Sequence, residues 1–223
     1  MIALAHGDIH GDIRFDVPLY SIAEMAWHLR MSDETLRRWV RRGDLVRSVR
    51  PDAPRSAELP FMAFVEAQFY LRLRDAGLTL PAIVAGMTEA RAALGDDFLV
   101  EGRLAHDGRD ILVNLADAGA KNEWMRARDH QHGLDRVIEY GLHPVRWGAD
   151  RRPESMLVTS YEVPVTVDPR YGFGQPILDE YGVRVEDVAA LLRAGDPVGV
   201  ITRELAVSKQ AVASIRRTHI LAA

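Results

Sequence analysis

Cysteine is absent from the 223 residues. That excludes disulfides, thiolate nucleophiles and every cysteine-ligated zinc or redox site. Lysine is nearly absent, with two against 26 arginines. This reads mainly as a composition bias, yet it means that cationic contacts are made by forked guanidinium groups. No apolar run approaches the ~18 to 20 residues needed to span a bilayer. The opening MIALAHGDIHGD has no basic start, and its apolar run is too short for a secretory signal. A cytoplasmic protein with no membrane partner is expected. The formal net charge of -4 argues mildly against unspecific nucleic-acid binding. At 48% hydrophobic and 27% charged, the chain is otherwise an ordinary globular one, of a length that suits one or two domains.

Local charge departs from that average. Between Arg30 and Arg55 stand eight arginines against Asp33, Glu34, Asp44 and Asp52, a balance of +4 inside an acidic chain. The centre of this segment is MSDETLRRWVRRG. At 100° per residue, Leu36, Trp39 and Val40 share one helical face, while Arg37, Arg38, Arg41 and Arg42 fan over the other. Glu34 lies in the same outward arc and Thr35 near its edge. Ser32 can accept from the first free amides of the helix, and Gly43 can end it in a left-handed turn. Upstream, Ser21 with Glu24 forms a capping box for a preceding helix.

The pattern occurs twice. YSIAEMAWHLRMSDETLRRWVRRG and DPVGVITRELAVSKQAVASIRRTH align at a constant offset of 176. Ile22 matches Val198, Leu29 matches Leu205, Met31 matches Val207, Ser32 matches Ser208, Leu36 matches Val212 and Trp39 matches Ile215. A short helix, a tight turn, a serine cap and a second helix make a helix-turn-helix. Its second helix packs the apolar face inward and offers the other to a major groove, where arginine bridges phosphates or grips guanine. The expected DNA-binding residues in the first copy are Ser32, Thr35, Arg37, Arg38, Arg41 and Arg42. The second copy turns Gln210, Ser214 and Arg217 outward as a weaker basic face, one equally suited to dimerisation or partner binding.

Around these copies the chain divides into three parts. Residues 1–17 read as a loose arm or a first strand. Residues 18–95 hold the first helix-turn-helix, a proline-rich stretch RSVRPDAPRSAELP, and an amphipathic helical region over 61–95 broken where Gly77 and Pro81 end one helix and start the next. In residues 96–165, RLAHDGRDILVNL carries two alternating arms around Asp107-Gly108, a β-hairpin signal. Residues 120–141 read as helix, LHPVRWGADRRPES as a loop or linker, and LVTSYEVPVTVDP as strand broken at Pro164. Residues 166–223 end in helices from 183 onward. The fold class is mainly α with small β elements, an α+β chain whose C-terminal helix-turn-helix has three helices.

FVEAQFYLRLRDAGLTLPAI, with Leu73, Arg74, Gly77, Thr79, Leu80 and Ile83, resembles the MerR-like regulators, in which a helix-turn-helix and a wing precede such a helix. The wing corresponds to the Arg47 to Pro60 stretch, and the resemblance implies that Arg47 and Arg50 lie along the DNA backbone. The metal-sensing members use cysteines, which this chain lacks. The C-terminal part resembles a small domain of VapB-type antitoxins, through Asp168, Pro169, Phe173, Gly174, Pro176, Gly182, Val183, Ala194, Gly195 and Asp196. Joined to the MerR-like front half, it resembles the large VapB-type antitoxins over most of residues 18–215.

That resemblance implies a non-enzymatic antitoxin of a type II toxin–antitoxin system, with no cofactor. Its implied partners are operator DNA and a PIN-like ribonuclease toxin that holds Mg²⁺ with clustered carboxylates. An inserted arginine can quench such a site. Arg126, Arg128, Arg136, Arg146, Arg151 and Arg152 lie in the middle region and are the toxin-binding candidates. A homodimer is expected, because one short helix reads only a few base pairs. Two rivals are a MerR-like transcription regulator responding to a small molecule, with no toxin partner, and a pure adapter that never touches DNA.

Other patterns carry less. HGDIHGD, with Asp8 and His10, resembles one metal motif of metallophosphoesterases, but the further ligands of a two-metal site are missing. His130 and His132 point apart on a helix, so no metal site is expected. YGFGQP suits a tight turn better than a phosphate cradle. FMAFVEAQFYL, with Phe61, Phe64, Val65, Gln68 and Phe69 at helical spacing, is expected in the core or a dimer interface.

Overall fold

The computed structural model describes residues 11–42, 45–50, 57–95, 98–99, 104–106, 111–114, 124–126 and 144–219. It is an α+β chain, as expected: helical units at both ends enclose two antiparallel sheets. The first unit contains α1 (Ile13–Asp16), α2 (Ile22–Leu29), α3 (Asp33–Arg42), α4 (Phe61–Asp75) and α5 (Leu80–Leu94). The Ser21 capping box forms as its sequence predicts. The break after α4 falls at Gly77, and Pro81 sits in the first turn of α5, where its missing N–H costs nothing.

Helix α4 is the centre. Periodicity predicts an amphipathic helix, but FMAFVEAQFYL is apolar nearly all round, and every residue from Phe61 to Tyr70 is buried. The run is core, one of the two places expected for it. Two polar side chains on α4 are buried with partners. Glu66 faces the segment after α3, and Gln68 faces the second sheet. The Gln68 amide donates to the Leu157 carbonyl at 2.7 Å and accepts from the Thr159 N–H at 3.3 Å.

The predicted hairpin is present as β1 (Leu104–His106) and β2 (Ile111–Asn114), with Ala105 opposite Leu112. Its turn, Asp107-Gly108 included, lies outside the described residues. A third strand, β3 (Trp124–Arg126), pairs with β2. This corrects the helical reading of residues 120–141 at those three positions; the rest of that stretch is not described. Helix α5 approaches this sheet closely at Gly86, where a β-carbon would stand 2.8 Å from that of Ile111.

The second sheet is a five-stranded antiparallel meander: β4 (Val145–Trp147), β5 (Pro153–Leu157), β6 (Val165–Val167), β7 (Ile177–Leu178) and β8 (Val183–Arg184). It crosses residue 165, so one sheet joins the middle and C-terminal stretches. LHPVRWGADRRPES, expected as a loop, supplies β4 and the start of β5. Strands of three residues give too little alternation to read, and their pairing is set by burying Val145 and Met156. Residues 13–16, expected as arm or strand, form one helical turn whose Phe15 plugs the core. The three C-terminal helices follow as expected: α6 (Val185–Ala194), α7 (Val198–Glu204) and α8 (Lys209–His219).

One hydrophobic cluster runs through both helical units and both sheets. A polar chain also bridges the two units. His28 Nδ1 on α2 lies 2.8 Å from the Tyr161 hydroxyl, which lies 2.7 Å from His219 Nε2 on α8. The His219 ring stacks on Trp27 with centroids 3.4 Å apart. Ser160 donates to the His28 carbonyl. Burial lowers the pKa of His28 to about 3, helped by the neighbouring His219. Burial also lowers His219 to about 4, with Arg30 and Arg193 adding repulsion. The hydroxyl of Tyr161 has one proton, so it donates to one imidazole and accepts from the other. Two imidazolium rings would both donate and would repel each other.

Both histidines are therefore neutral in the folded chain and titrate near pH 6.5 when unfolded. Their linkage is flat above pH 6.5 and destabilises the fold progressively as pH falls toward 4. Thermal unfolding followed by circular dichroism is expected to show Tm steady from pH 8 to 7 and falling below 6.5. Tyr161→Phe, which strands both ring nitrogens, is expected to cost about 1 to 3 kcal/mol in urea unfolding at pH 7.5.

Candidate nucleic-acid interface

Helix α3 has the build that its sequence predicts. Leu36 and Trp39 are fully buried, with the Trp39 ring edge-on to Tyr70 of α4. The Ser32 hydroxyl accepts from the Thr35 N–H at 3.2 Å and donates to the Thr35 hydroxyl at 2.8 Å. Arg38, Arg41 and Arg42 are exposed, and Arg37 is half-buried on the flank. None of these four guanidiniums pairs with a carboxylate among the described residues. Elsewhere Arg14, Arg47, Arg170, Arg184, Arg193 and Arg217 are each held by an acidic side chain. The α3 arginines thus form a cationic face open to solvent. Arg41 and Arg42 in the last turn also complement the helix dipole.

The wing arginines differ from each other. Arg50 is exposed, as a backbone contact requires. Arg47 turns inward. Its N–H donates to Glu66 Oε2 at 2.7 Å and its Nε to Oε1 at 2.9 Å, while its guanidinium lies 5.0 Å from the centre of the Phe15 ring. Arg91 of α5 approaches the same carboxylate at 3.5 Å. Glu66, wholly buried, ties the segment after α3 to both long helices. Its signal in the sequence was a lone carboxylate in an apolar run, which must find partners if that run is core.

The second copy repeats the backbone. Arg30 and Ala206, 176 residues apart, both take the left-handed conformation at φ 53° in the turn between the two helices. Ser208 accepts from the Ala211 N–H at 3.1 Å, as Ser32 does from Thr35. The environment differs. Ser214, expected outward, is fully buried, and its hydroxyl accepts the Glu162 N–H at 3.0 Å. Arg217 is exposed but bound through two nitrogens to the Glu162 carboxylate, whose pKa that contact holds below the usual carboxylate range. Thr218 donates to the Ser160 carbonyl. Residues 160–162 thus lie across the α8 face that corresponds to the arginine face of α3. Of the three expected contacts, Gln210 alone is exposed and without a bond to the chain. It borders a small cavity of about 140 Å³ with Glu162, Glu180 and Tyr181.

The arginines of the middle region do not converge among the described residues. Arg128 and Arg136 lie outside these residues, and the side chain of Arg126 is not described. Arg146 is exposed, with its Nε 3.1 Å from the Ser155 hydroxyl. Arg151 stands in the β4–β5 turn at φ 61°. Arg152 lies over the Phe15 ring at 5.8 Å. Among the described residues, no three acidic or histidine side chains gather to hold a metal, and no helix is long and apolar enough to cross a membrane. The HGDIHGD arm is described only at Gly11 and Asp12, and His130 and His132 lie outside.

The chain therefore joins a helix-turn-helix that carries an open cationic helix to a sheet and a second helix-turn-helix. Residues 20–89 match the MerR HTH family of regulatory proteins, and residues 165–216 match a protein family of unknown function, DUF433. A MerR-type helix-turn-helix is present. Over 237 aligned residues, the chain is 27% identical to a Mycobacterium tuberculosis protein named "Putative antitoxin VapB45", covering 93% of this chain and 99% of that one. The resemblance to large VapB-type antitoxins therefore holds along almost the whole chain. The fold is shared with the crystal structure of Rv2018 from Mycobacterium tuberculosis, at a TM-score of 0.67 and 24% identity, covering 91% of this chain and 98% of that one.

Glu66→Ala would leave Arg47 and Arg91 turned toward a carboxylate that is no longer there. A loss of about 3 to 5 kcal/mol is expected in urea unfolding. A loss below 1 kcal/mol would mean that the wing is not held through this carboxylate.

Proposed function

We propose that this chain is the antitoxin of a type II toxin–antitoxin pair. It binds operator DNA as a homodimer and represses its own operon, and it neutralises a PIN-like ribonuclease toxin by direct contact in the cytoplasm. Residues 18–95 carry the DNA-reading unit, 96–165 supply dimer or toxin contacts, and 166–223 form the antitoxin-like helix-turn-helix.

The observation that carries the DNA half is the uncommitted arginine face of α3. Six described arginines elsewhere are held by carboxylates, whereas four gather open on the helix that a helix-turn-helix inserts into the major groove. Ser32 and Thr35 at the start of α3 lie where base edges are met, and Arg38, Arg41 and Arg42 suit phosphates or guanine. Arg37 can join them by swinging off the flank. Arg47 acts in this reading as an internal brace for the wing, and Arg50 as the wing contact. The covered face of α8 favours a role for the second helix-turn-helix in holding the chain together or meeting a protein, with Gln210 at its rim. The toxin half is supported by the near full-length likeness to an antitoxin.

Arg38→Ala with Arg41→Ala is expected to abolish a gel shift on the chain's own promoter fragment at 0.15 M salt while leaving Tm unchanged. At lower salt, where residual binding is measurable, the slope of log affinity against log salt should be shallower by about 2, because roughly 0.9 is lost per phosphate contact. An unchanged slope and affinity would remove α3 from the interface. For the toxin half, a PIN-like ribonuclease is expected in the adjacent reading frame, and co-expression of this chain should restore growth that the ribonuclease alone arrests; unrelieved arrest would remove the toxin half.

A further inference from the structure

A carboxylate sits in the middle of the cationic face of α3. At about 100° per residue, Glu34, Arg38 and Arg41 fall within about 60° of arc and form one stripe along the helix. The buried side chains Trp39 and Leu36 lie about 140° and about 160° from Glu34, so the stripe points away from the core. Arg37 and Arg42 stand to either side, about 60° and about 80° from Glu34. Glu34 is exposed, and no ion pair joins it to a cation among the described residues. Arg37 and Arg38, three and four positions on, have the spacing that pairs on a helix surface.

The second copy shows this stripe in use. At the offset of 176, Glu34, Arg38 and Arg41 correspond to Gln210, Ser214 and Arg217. Ser214 accepts the Glu162 N–H at 3.0 Å and Arg217 grips the Glu162 carboxylate, so a covering segment is held along the stripe of α8. Gln210 stands at the open end, on the rim of the cavity. On α3 the same line of positions is open, and its first member is an acid. Asp33, in the same turn but about 100° off the stripe, already complements the helix dipole from the flank. That service does not require a second acid at the centre of the contact line.

We infer that Glu34 is the residue with which α3 selects a cytosine in its operator. The inference deepens the DNA reading above and rests on it. Phosphates border a major groove and base edges form its floor, so a stripe facing away from the core meets bases while the flanks meet phosphates. The first turn of a recognition helix is the part that reaches those edges. A carboxylate is repelled by phosphate, and on the floor it faces acceptors at guanine N7 and O6, adenine N7 and thymine O4. Two donors remain, the amino groups of cytosine and adenine. Adenine sets N7 beside its amino group, where it repels the second carboxylate oxygen, whereas cytosine has no acceptor on its own edge. Glu34 thus lowers affinity for most sequences and recovers it on one base, while arginines on phosphate add affinity without choice.

The test uses the full chain and duplexes randomised across its footprint on its own promoter fragment. The wild type is expected to enrich cytosine at one position of each half-site, and to lose about 10-fold or more in affinity when that C·G pair becomes T·A. Glu34→Ala should lose this one preference and bind the unselected duplexes more tightly than the wild type, because a negative charge has left the interface. Glu34→Gln should move the preference from cytosine to adenine, whose N6 and N7 suit an amide. The site is exposed, and circular dichroism should show each variant folded. A wild type that selects a sequence without this cytosine, or a Glu34→Ala chain that keeps the preference, would overturn the inference and leave the DNA reading standing. A lowered Tm with unchanged base preference would assign Glu34 to the helix end alone and would likewise overturn it. A wild-type chain that binds no duplex would overturn both readings.

Discussion

The structure hangs on one helix whose first ten residues have no solvent face. Along α4, Phe64 meets Tyr20 edge-on at 5.3 Å, Glu66 takes the wing arginine, Gln68 closes on the β5–β6 connection, and Tyr70 supports Trp39 under the arginine helix. A carboxylate or amide on the buried stretch of such a helix needs a partner, because leaving one unpaired in that setting costs several kcal/mol. Glu66 and Gln68 meet this demand by gripping segments that belong to other units. The same contacts that avoid a penalty therefore fix the segment after α3 and the second sheet relative to α3. Cohesion between the ends of the chain follows from what α4 cannot leave unpaired.

The two helix-turn-helix copies show how one backbone serves two surfaces. Their shared pattern reaches the left-handed residue of the turn, Arg30 in one and Ala206 in the other, each a costlier choice than glycine. What separates them is the segment laid alongside. Nothing described covers the outer face of α3, whereas residues 160–162 lie on the matching face of α8 and engage Ser214, Arg217 and Thr218. Position 38 and position 214 are the same place in the repeat, yet one is an exposed arginine and the other a buried serine holding a backbone amide. The divergence lies in the partners of the helix, and its helical geometry is retained.

This explains what could be read from the residues and what could not. The caps at Ser21, Ser32 and Ser208, the break at Gly77 and Pro81, and the hairpin arms at Leu104 and Ile111 are local chemistry, carried by neighbours within four or five positions. They were legible. Strands β4 and β5 were not, because a three-residue strand has no period, and Val145 becomes a strand residue only when Met156 arrives opposite it. The inward turn of Arg47 depends on Glu66, 19 positions away, and the covering of Ser214 on Glu162, 52 away. Helical periodicity says which side of a helix is polar. It does not say which polar side another segment will occupy, and that limit accounts for the reversal at Ser214.

The net charge of -4 is reconciled with the proposed DNA-reading role by the same distinction. Several of the described carboxylates are spent on arginines: Asp12 and Asp150 on Arg14, Asp168 and Glu154 on Arg170, Glu162 on Arg217. Such pairs cancel locally and contribute little field beyond a Debye length of about 8 Å. A groove contact is governed by the charges that remain uncancelled on the face presented to it, and on α3 those are guanidiniums. In the proposed reading, the uncancelled guanidiniums of α3 set the orientation in which the chain approaches the duplex.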